Sequence, residues 1–213
     1  MIYLILPIDP TTIFLNQIPE KLKNNGIDFN LIEVYETKES YDAAKQKLTE
    51  IPNGATVLFL GHGQDNQLYG GASSTIEKQP IIRTNEMKIF AKKKLFALSC
   101  HSASLLKNSL GNAQIINSIG FGALPTEMAE VESNNRLNEL GITEETIDAY
   151  KQTLVDCVVQ SVTRYAQTNL SFHELKDFFS LLMNKRINEA VLVDKDRNLA
   201  NLVFQMRNEM IMY

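Results

Sequence analysis

Residues Thr56–Leu60 form a continuous apolar run, entered through Pro52-Asn53-Gly54 and left through Gly61. A strand without polar alternation is buried on both faces, and such strands belong to parallel sheets covered by helices. The rest of the first 121 residues fits that constraint. Residues 2–8, 29–35, 95–98 and 114–119 read as further strands. Between them lies a helical pattern through Ile13, Ile18 and Leu22 that stops at Asn25-Gly26. A charged helix spans residues 40–51, and Thr84 caps a short helix ending in Lys92-Lys93-Lys94. Strands alternating with helices predict a mainly parallel sheet with helices on both faces, a three-layer α/β/α sandwich.

After Phe121 the pattern changes. Residues 122–141 are a polar connection, followed by a strong helix over 144–167 with Ile147, Tyr150, Leu154, Val158, Val162 and Tyr165 at helical spacing. Ser171 and Glu174 match a capping box that opens another helix through Leu175, Phe179 and Leu182. Residues 190–193 have the composition of a last strand, and 198–212 fit helix or strand equally well. The expected organisation is a core over 1–140 with a helical extension over 141–213 packed on it as one compact domain. Residues 64–80, with Gly70-Gly71, read as a long loop or small hairpin. This loop and 122–141 are the segments expected to move or to be cut, with Lys78, Arg83 and Arg136 as basic candidates for self-cleavage.

Charge narrows the partners. The chain carries a net charge of −4 over 213 residues with no long block of either sign. Nucleic acid and anionic membranes are therefore not expected partners. No apolar run reaches the roughly 18 residues needed to span a bilayer. Two cysteines make no disulfide framework, and without an export signal a reducing cytoplasm is the expected location. Cys-x-x-Cys spacing is absent and the three histidines are far apart in sequence, so neither a metal nor another cofactor is expected.

Two strands end in residues that carry chemistry. The 56–60 run leads into Gly61-His62-Gly63, and the 95–98 run into Ser99-Cys100-His101. Ligands of open parallel sheets bind outside the carboxyl ends of the strands. If the two strands are parallel neighbours, His62 and Cys100 emerge together at that edge. A thiol of ordinary pKa is only a few per cent thiolate at neutral pH, so a nucleophilic Cys100 needs a base, and His62 is one. His62 can later return the proton to a leaving amine. Gly63 has no side chain to block the approach of a substrate carbonyl, and its N–H with that of Cys100 can form an oxyanion hole. The other candidates read as structural: Cys157 on an apolar helix, His101 on the far face or rim, and His173 as a solvated or capping residue.

Phe59-Leu60-Gly61-His62-Gly63 and Ala97-Leu98-Ser99-Cys100-His101-Ser102-Ala103 resemble the signatures of caspase-like cysteine peptidases, in the order His then Cys. Ser-Cys-His-Ser is similar to metacaspases. The compact size and the Gly120–Glu127 stretch look more like the CHAT-type branch, which includes relatives of separase. Leu98 and Ala103 stand where metacaspases usually carry an acidic residue and a glycine. The resemblance covers roughly residues 1–130. It implies a caspase-like fold and a cysteine endopeptidase that acts on a protein or peptide substrate, with a regulatory protein as a further candidate partner. It also implies cleavage after a basic residue read by an acidic one. Glu127 is the first choice for that role, with Asp65 and Glu130 as rivals. Two other readings remain beside it. One is a catalytically silent caspase-like module that binds partners; the other is a glutaminase-type amidotransferase, against which the His-then-Cys order argues.

Overall fold

Each apolar run becomes a strand because neighbouring strands satisfy its backbone while helices cover its side chains. The computed structural model describes residues 1–213; the side chain of Arg136, one of the self-cleavage candidates, lies outside the described residues. Strands β1 (Ile2–Pro7), β2 (Asn30–Val34) and β3 (Thr56–Leu60) alternate with helices α1 (Gln17–Asn24) and α2 (Lys38–Glu50). Gly54, at φ +80°, makes the turn into β3 that Asn53-Gly54 predicts. β4 (Gly63–Gln64), β5 (Gln67–Tyr69) and β6 (Pro80–Arg83) form a separate three-stranded antiparallel sheet, so the 64–80 segment opens as a small hairpin through β4 and β5 and continues as an irregular loop over 70–79 before β6. A 3₁₀ segment, Thr84–Phe90, takes the place of the short helix, with the Glu86 carboxylate accepting the Arg83 N–H at 2.9 Å. β7 (Lys94–Leu98), helix α3 (Ser102–Ala113) and β8 (Asn117–Gly120) follow.

The main sheet has the order β2-β1-β3-β7-β8-β9, where β9 is the two-residue strand Ile211–Met212. Every pairing is parallel except β8 with β9. The chain moves one way from β1 to β2 and the opposite way from β2 through β3 and β7 to β8. Right-handed crossovers then put α1 on one face, and α2, the 3₁₀ segment and α3 on the other. The packing agrees: Ile5, Val57, Phe59, Leu95 and Ala97 share one buried cluster with Ala44 and Leu48 of α2, Phe90, and Leu105 and Leu106 of α3. Alternate residues Leu4, Leu58, Phe96 and Leu98 point to the other face and are equally buried. This is a mainly parallel α/β fold, compatible with a three-layer sandwich.

The chain divides into two units: Met1–Gly122 together with Met210–Tyr213, and Ala123–Glu209. Residues 123–140 therefore group with the helices rather than with the sheet. The connection expected over 122–141 contains two short helices, α4 (Met128–Ser133) and α5 (Asn135–Asn138). Then come α6 (Glu144–Thr168), α7 (Phe172–Glu189) and α8 (Arg197–Glu209). No helix among the described residues is long and apolar enough to cross a membrane.

The capping box forms as the sequence predicts. Glu174 N–H donates to Ser171 Oγ at 3.2 Å, and Ser171 N–H to Glu174 Oε2 at 2.7 Å. Ser171→Ala is expected to cost about 1 kcal/mol, read as a lowered denaturation midpoint at unchanged slope. The last-strand expectation for 190–193 is corrected: Ala190–Asp194 is a π-helical turn continuing from α7. Ala190 N–H still bonds to Arg186, Arg186 pairs with Asp194 at 2.5 Å, and Asp196 N–H returns to Ala190 O at 2.9 Å. The β-propensity of Val-Leu-Val counts only where a neighbouring strand offers a ladder, and here the helix supplies the hydrogen bonds. The 198–212 ambiguity resolves into α8 followed by β9.

Cys157 lies on the buried face of α6, as expected from Leu154 and Val158 beside it. Burial, reinforced by the Asp156 charge and opposed by Arg186, pushes its thiol up to about 12. The unfolded thiol titrates near 8.5, so above that pH the unfolded chain releases a proton that the folded chain keeps. Folding stability linked to Cys157 is thus level below about pH 8 and falls as pH rises, by about 2 kcal/mol at pH 10. Urea titrations of wild type and Cys157→Ala between pH 7 and 10 should show the mutant lacking this loss.

Candidate active site at the carboxyl edge of the sheet

β3 and β7 are parallel neighbours in the register Thr56↔Lys94 to Leu60↔Leu98. Their continuations stay together, with Gly61 N–H donating to Leu98 O at 3.2 Å. His62 and Cys100 each stand two residues past the last paired position, at the same edge of the sheet. Gly63 is packed against the Cys100 segment: a Cβ there would lie 2.6 Å from Ser99 Oγ and 3.0 Å from Cys100 O. Glycine is thus required by space, beyond the access argument made from sequence. Tyr69 N–H donates to His62 O at 3.1 Å, which makes Gly63–Leu68 a pair that exchanges no ladder bonds. The Gly63 N–H therefore points away from β5 and makes no ladder bond to it.

Cys100 is partly exposed, and neither cysteine is in a disulfide. The chain turns sharply after it: His101 takes φ +56° and α3 begins at Ser102. Ser102 Oγ holds this bend from inside, donating towards Ala97 O at 2.7 Å and Ser99 O at 2.8 Å and accepting from Phe121 N–H at 2.9 Å. His101 is exposed, and its N–H is used by Gly122 O at 2.7 Å. His173 is exposed in the first turn of α7, the solvated position expected for it.

A third element reaches the site from β1. Because the chain leaves β1 and β3 in opposite directions along the sheet, the gap between their carboxyl ends is the topological switch point, where α/β sheets bind ligands. Asp9 lies past β1 and caps the 3₁₀ segment Pro10–Asn16, its Oδ1 accepting from Thr11 N–H at 2.9 Å and from the Thr11 hydroxyl at 2.7 Å. Thr11 Oγ1 also lies 2.6 Å from His62 Nε2, and Asp9 Oδ2 is 3.6 Å from the same nitrogen. Asp9 is 5% exposed, and its Oδ2 has no hydrogen-bond donor among the described residues. Burial alone would raise its carboxyl; the Thr11 bonds and the charges of His62 and Lys78 outweigh it and hold the carboxyl below the usual range. A cavity of about 570 Å³ opens here, lined by Asp9, Thr11, Tyr69 and Lys78 among others. Sequence reading missed Asp9 and Thr11. The signal that could have found them is the strand-end rule that points to His62 and Cys100, applied to Asp9-Pro10-Thr11 after the first strand.

The acids expected to read a substrate sit differently. Asp65 is exposed at the β4–β5 turn, its carbonyl accepting from Asn108 Nδ2 at 3.2 Å. Glu127 belongs to the helical unit, where it caps α4 opposite Glu130, whose Oε2 accepts the N–H groups of Thr126 at 2.7 Å and Glu127 at 3.3 Å. No group of three or more His, Cys, Asp or Glu side chains able to hold a metal ion occurs among the described residues.

Fold and site together describe a mainly parallel α/β chain with a histidine and a cysteine at the carboxyl edge of adjacent central strands. The sequence matches no model of a known protein family and no curated protein.

Proposed function

We propose that the protein is a cysteine endopeptidase working through a Cys100 acyl-enzyme. The observation that carries the proposal is the β3–β7 register, which sets His62 and Cys100 at equivalent positions on one edge with Gly63 against the Cys100 carbonyl. The resemblance of the two strand-end motifs to caspase-like peptidases supports the same reading. His62 takes the thiol proton as Cys100 Sγ attacks the scissile carbonyl. The oxyanion that forms accepts hydrogen bonds from the N–H groups of Gly63 and Cys100. His62 then protonates the leaving amine, and water, deprotonated by the same ring, releases the acyl group.

Cleavage after Arg or Lys is part of the proposal. Glu127 is the first choice of carboxylate to read the cation, with Asp65 and Glu130 as rivals, through charge-assisted hydrogen bonds to its head group. Peptide acyloxymethyl ketones of varied P1 residue test both claims. The expected result is a single thioether on Cys100, formed fastest with Arg or Lys at P1. Absence of any adduct on Cys100 would favour the silent binding module, and preference for Asp at P1 would remove the basic specificity alone.

A further inference from the structure

We infer that Thr11, held by Asp9, is a positioning residue that fixes His62 as the tautomer protonated on Nε2, leaving Nδ1 as the basic nitrogen of the neutral ring. The inference rests on the peptidase reading for its catalytic meaning, but the tautomer is a property of the folded protein whether or not it cleaves peptides. It follows from counting protons. Asp9 is ionised and can only accept. Its Oδ1 is 2.7 Å from Thr11 Oγ1, a distance at which a carboxylate and a hydroxyl oxygen need a proton between them, and the hydroxyl has the only one. Thr11 has then spent its single proton. Its oxygen also lies 2.6 Å from His62 Nε2, so that second contact has to be filled by a proton on the nitrogen.

Helix capping does not account for this arrangement. Capping of the 3₁₀ segment needs only Asp9 Oδ1 and the Thr11 N–H, a bond of 2.9 Å that is present in addition. Valine in place of Thr11 would leave that cap intact. What the hydroxyl adds is contact with a ring 51 residues away in sequence, on a side chain only 11% exposed. Asp9 Oδ2, 3.6 Å from Nε2, adds a negative charge that favours the imidazolium formed when His62 takes the Cys100 proton. Lys78 Nζ, 4.0 Å from the same oxygen, is a second cation beside Asp9, and it partly offsets that effect. The ring is thereby oriented, given one tautomer, and backed by a carboxylate it does not touch directly. A serine, asparagine or backbone carbonyl in the place of Thr11 could do the same, whereas an aliphatic side chain could not.

The test is direct. Nitrogen-15 spectra of histidine-labelled protein, recorded where the ring is neutral, should show the protonated-type nitrogen at Nε2 of His62 and the bare-type nitrogen at Nδ1. His62→Gln supplies the assignment. In Thr11→Val this polarisation should collapse towards the mixture seen in exposed histidines. In Thr11→Ser it should persist. With a peptide substrate, Thr11→Val should lower kcat by about a hundredfold, the scale of a misplaced catalytic group, with KM changed less than threefold. Thr11→Ser should recover most of that loss. A wild-type ring protonated on Nδ1 would overturn the inference outright. So would a Thr11→Val protein that is folded yet keeps the wild-type tautomer and kcat. If the wild-type protein cleaves nothing but shows the Nε2–H form lost in Thr11→Val and kept in Thr11→Ser, the peptidase reading fails and the positioning stands.

Discussion

Cys100→Ala is expected to lower peptide hydrolysis by about 10⁴-fold or more, whereas Cys157→Ala keeps turnover near wild type and lowers the melting temperature. The contrast comes from the two environments. Cys100 is partly exposed at the carboxyl edge of a central strand, two residues beyond the pairing that also positions His62. Without its sulfur no acyl-enzyme forms, and an oxyanion hole alone has no nucleophile to serve. Cys157 is 4% exposed within α6, its thiol pushed up to about 12, so at neutral pH it is neither accessible nor ionised. Truncating it removes a buried sulfur, a loss on the order of 1 kcal/mol. Initial rates on a peptide mixture and thermal melts of the two variants check both halves. Alkylation of native wild-type protein should modify Cys100 and spare Cys157 until the chain unfolds. Loss of activity in Cys157→Ala with retention in Cys100→Ala would reject the peptidase mechanism proposed.

Gly63→Ala is the second large effect expected, and it acts on stability and activity together. An added methyl would sit 2.6 Å from Ser99 Oγ and 3.0 Å from both Ser99 Cβ and Cys100 O. Ser99 is 1% exposed, and the Cys100 oxygen belongs to the backbone, so neither moves aside at little cost. Relief has to come from separating the two strand ends, at about 1–3 kcal/mol of stability. The same separation shifts the Gly63 N–H relative to Cys100 and should lower kcat by about 10²–10³, as loss of an oxyanion donor does elsewhere. Gly61→Ala is the control from the same turn, where the three atoms nearest the added methyl all belong to the Pro7 ring, the first at 3.1 Å. A Gly63→Ala variant with wild-type melting and turnover would mean that the His62 and Cys100 segments are not held against each other as described.

Much of the fold is legible in the amino-acid sequence. Thr56–Leu60 reads as a strand because four consecutive apolar residues follow a β-branched threonine between the Gly54 turn and Gly61, the near-continuous pattern of a strand buried on both faces. Ser171 and Glu174 mark the start of α7 because a capping box is satisfied within four residues. The emergence of His62 and Cys100 at one edge is inferable too, since two neighbouring parallel strands running in one direction deliver their next residues to one edge. Readings that depend on partners distant in sequence are less secure. Residues 190–193 have strand-like composition but continue a helix, and α3 carries too few apolar positions at clean spacing to stand out between Cys100 and β8.

Local chemistry in the sequence thus determined the elements: where the chain is extended or helical, where it turns, and which two strand ends carry a base and a thiol. Tertiary structure decided which strand lies beside which. The order β2-β1-β3-β7 sets β1 next to β3, and only that adjacency brings Asp9 and Thr11 against His62. It also decided that the last residues, Met210–Tyr213, leave the helices and add β9 antiparallel to β8. The physical reason is the same in both cases. A turn, a cap or an amphipathic face is satisfied by residues within a few positions. A strand edge is satisfied by whichever backbone arrives to share its hydrogen bonds, and that choice is made by the fold as a whole.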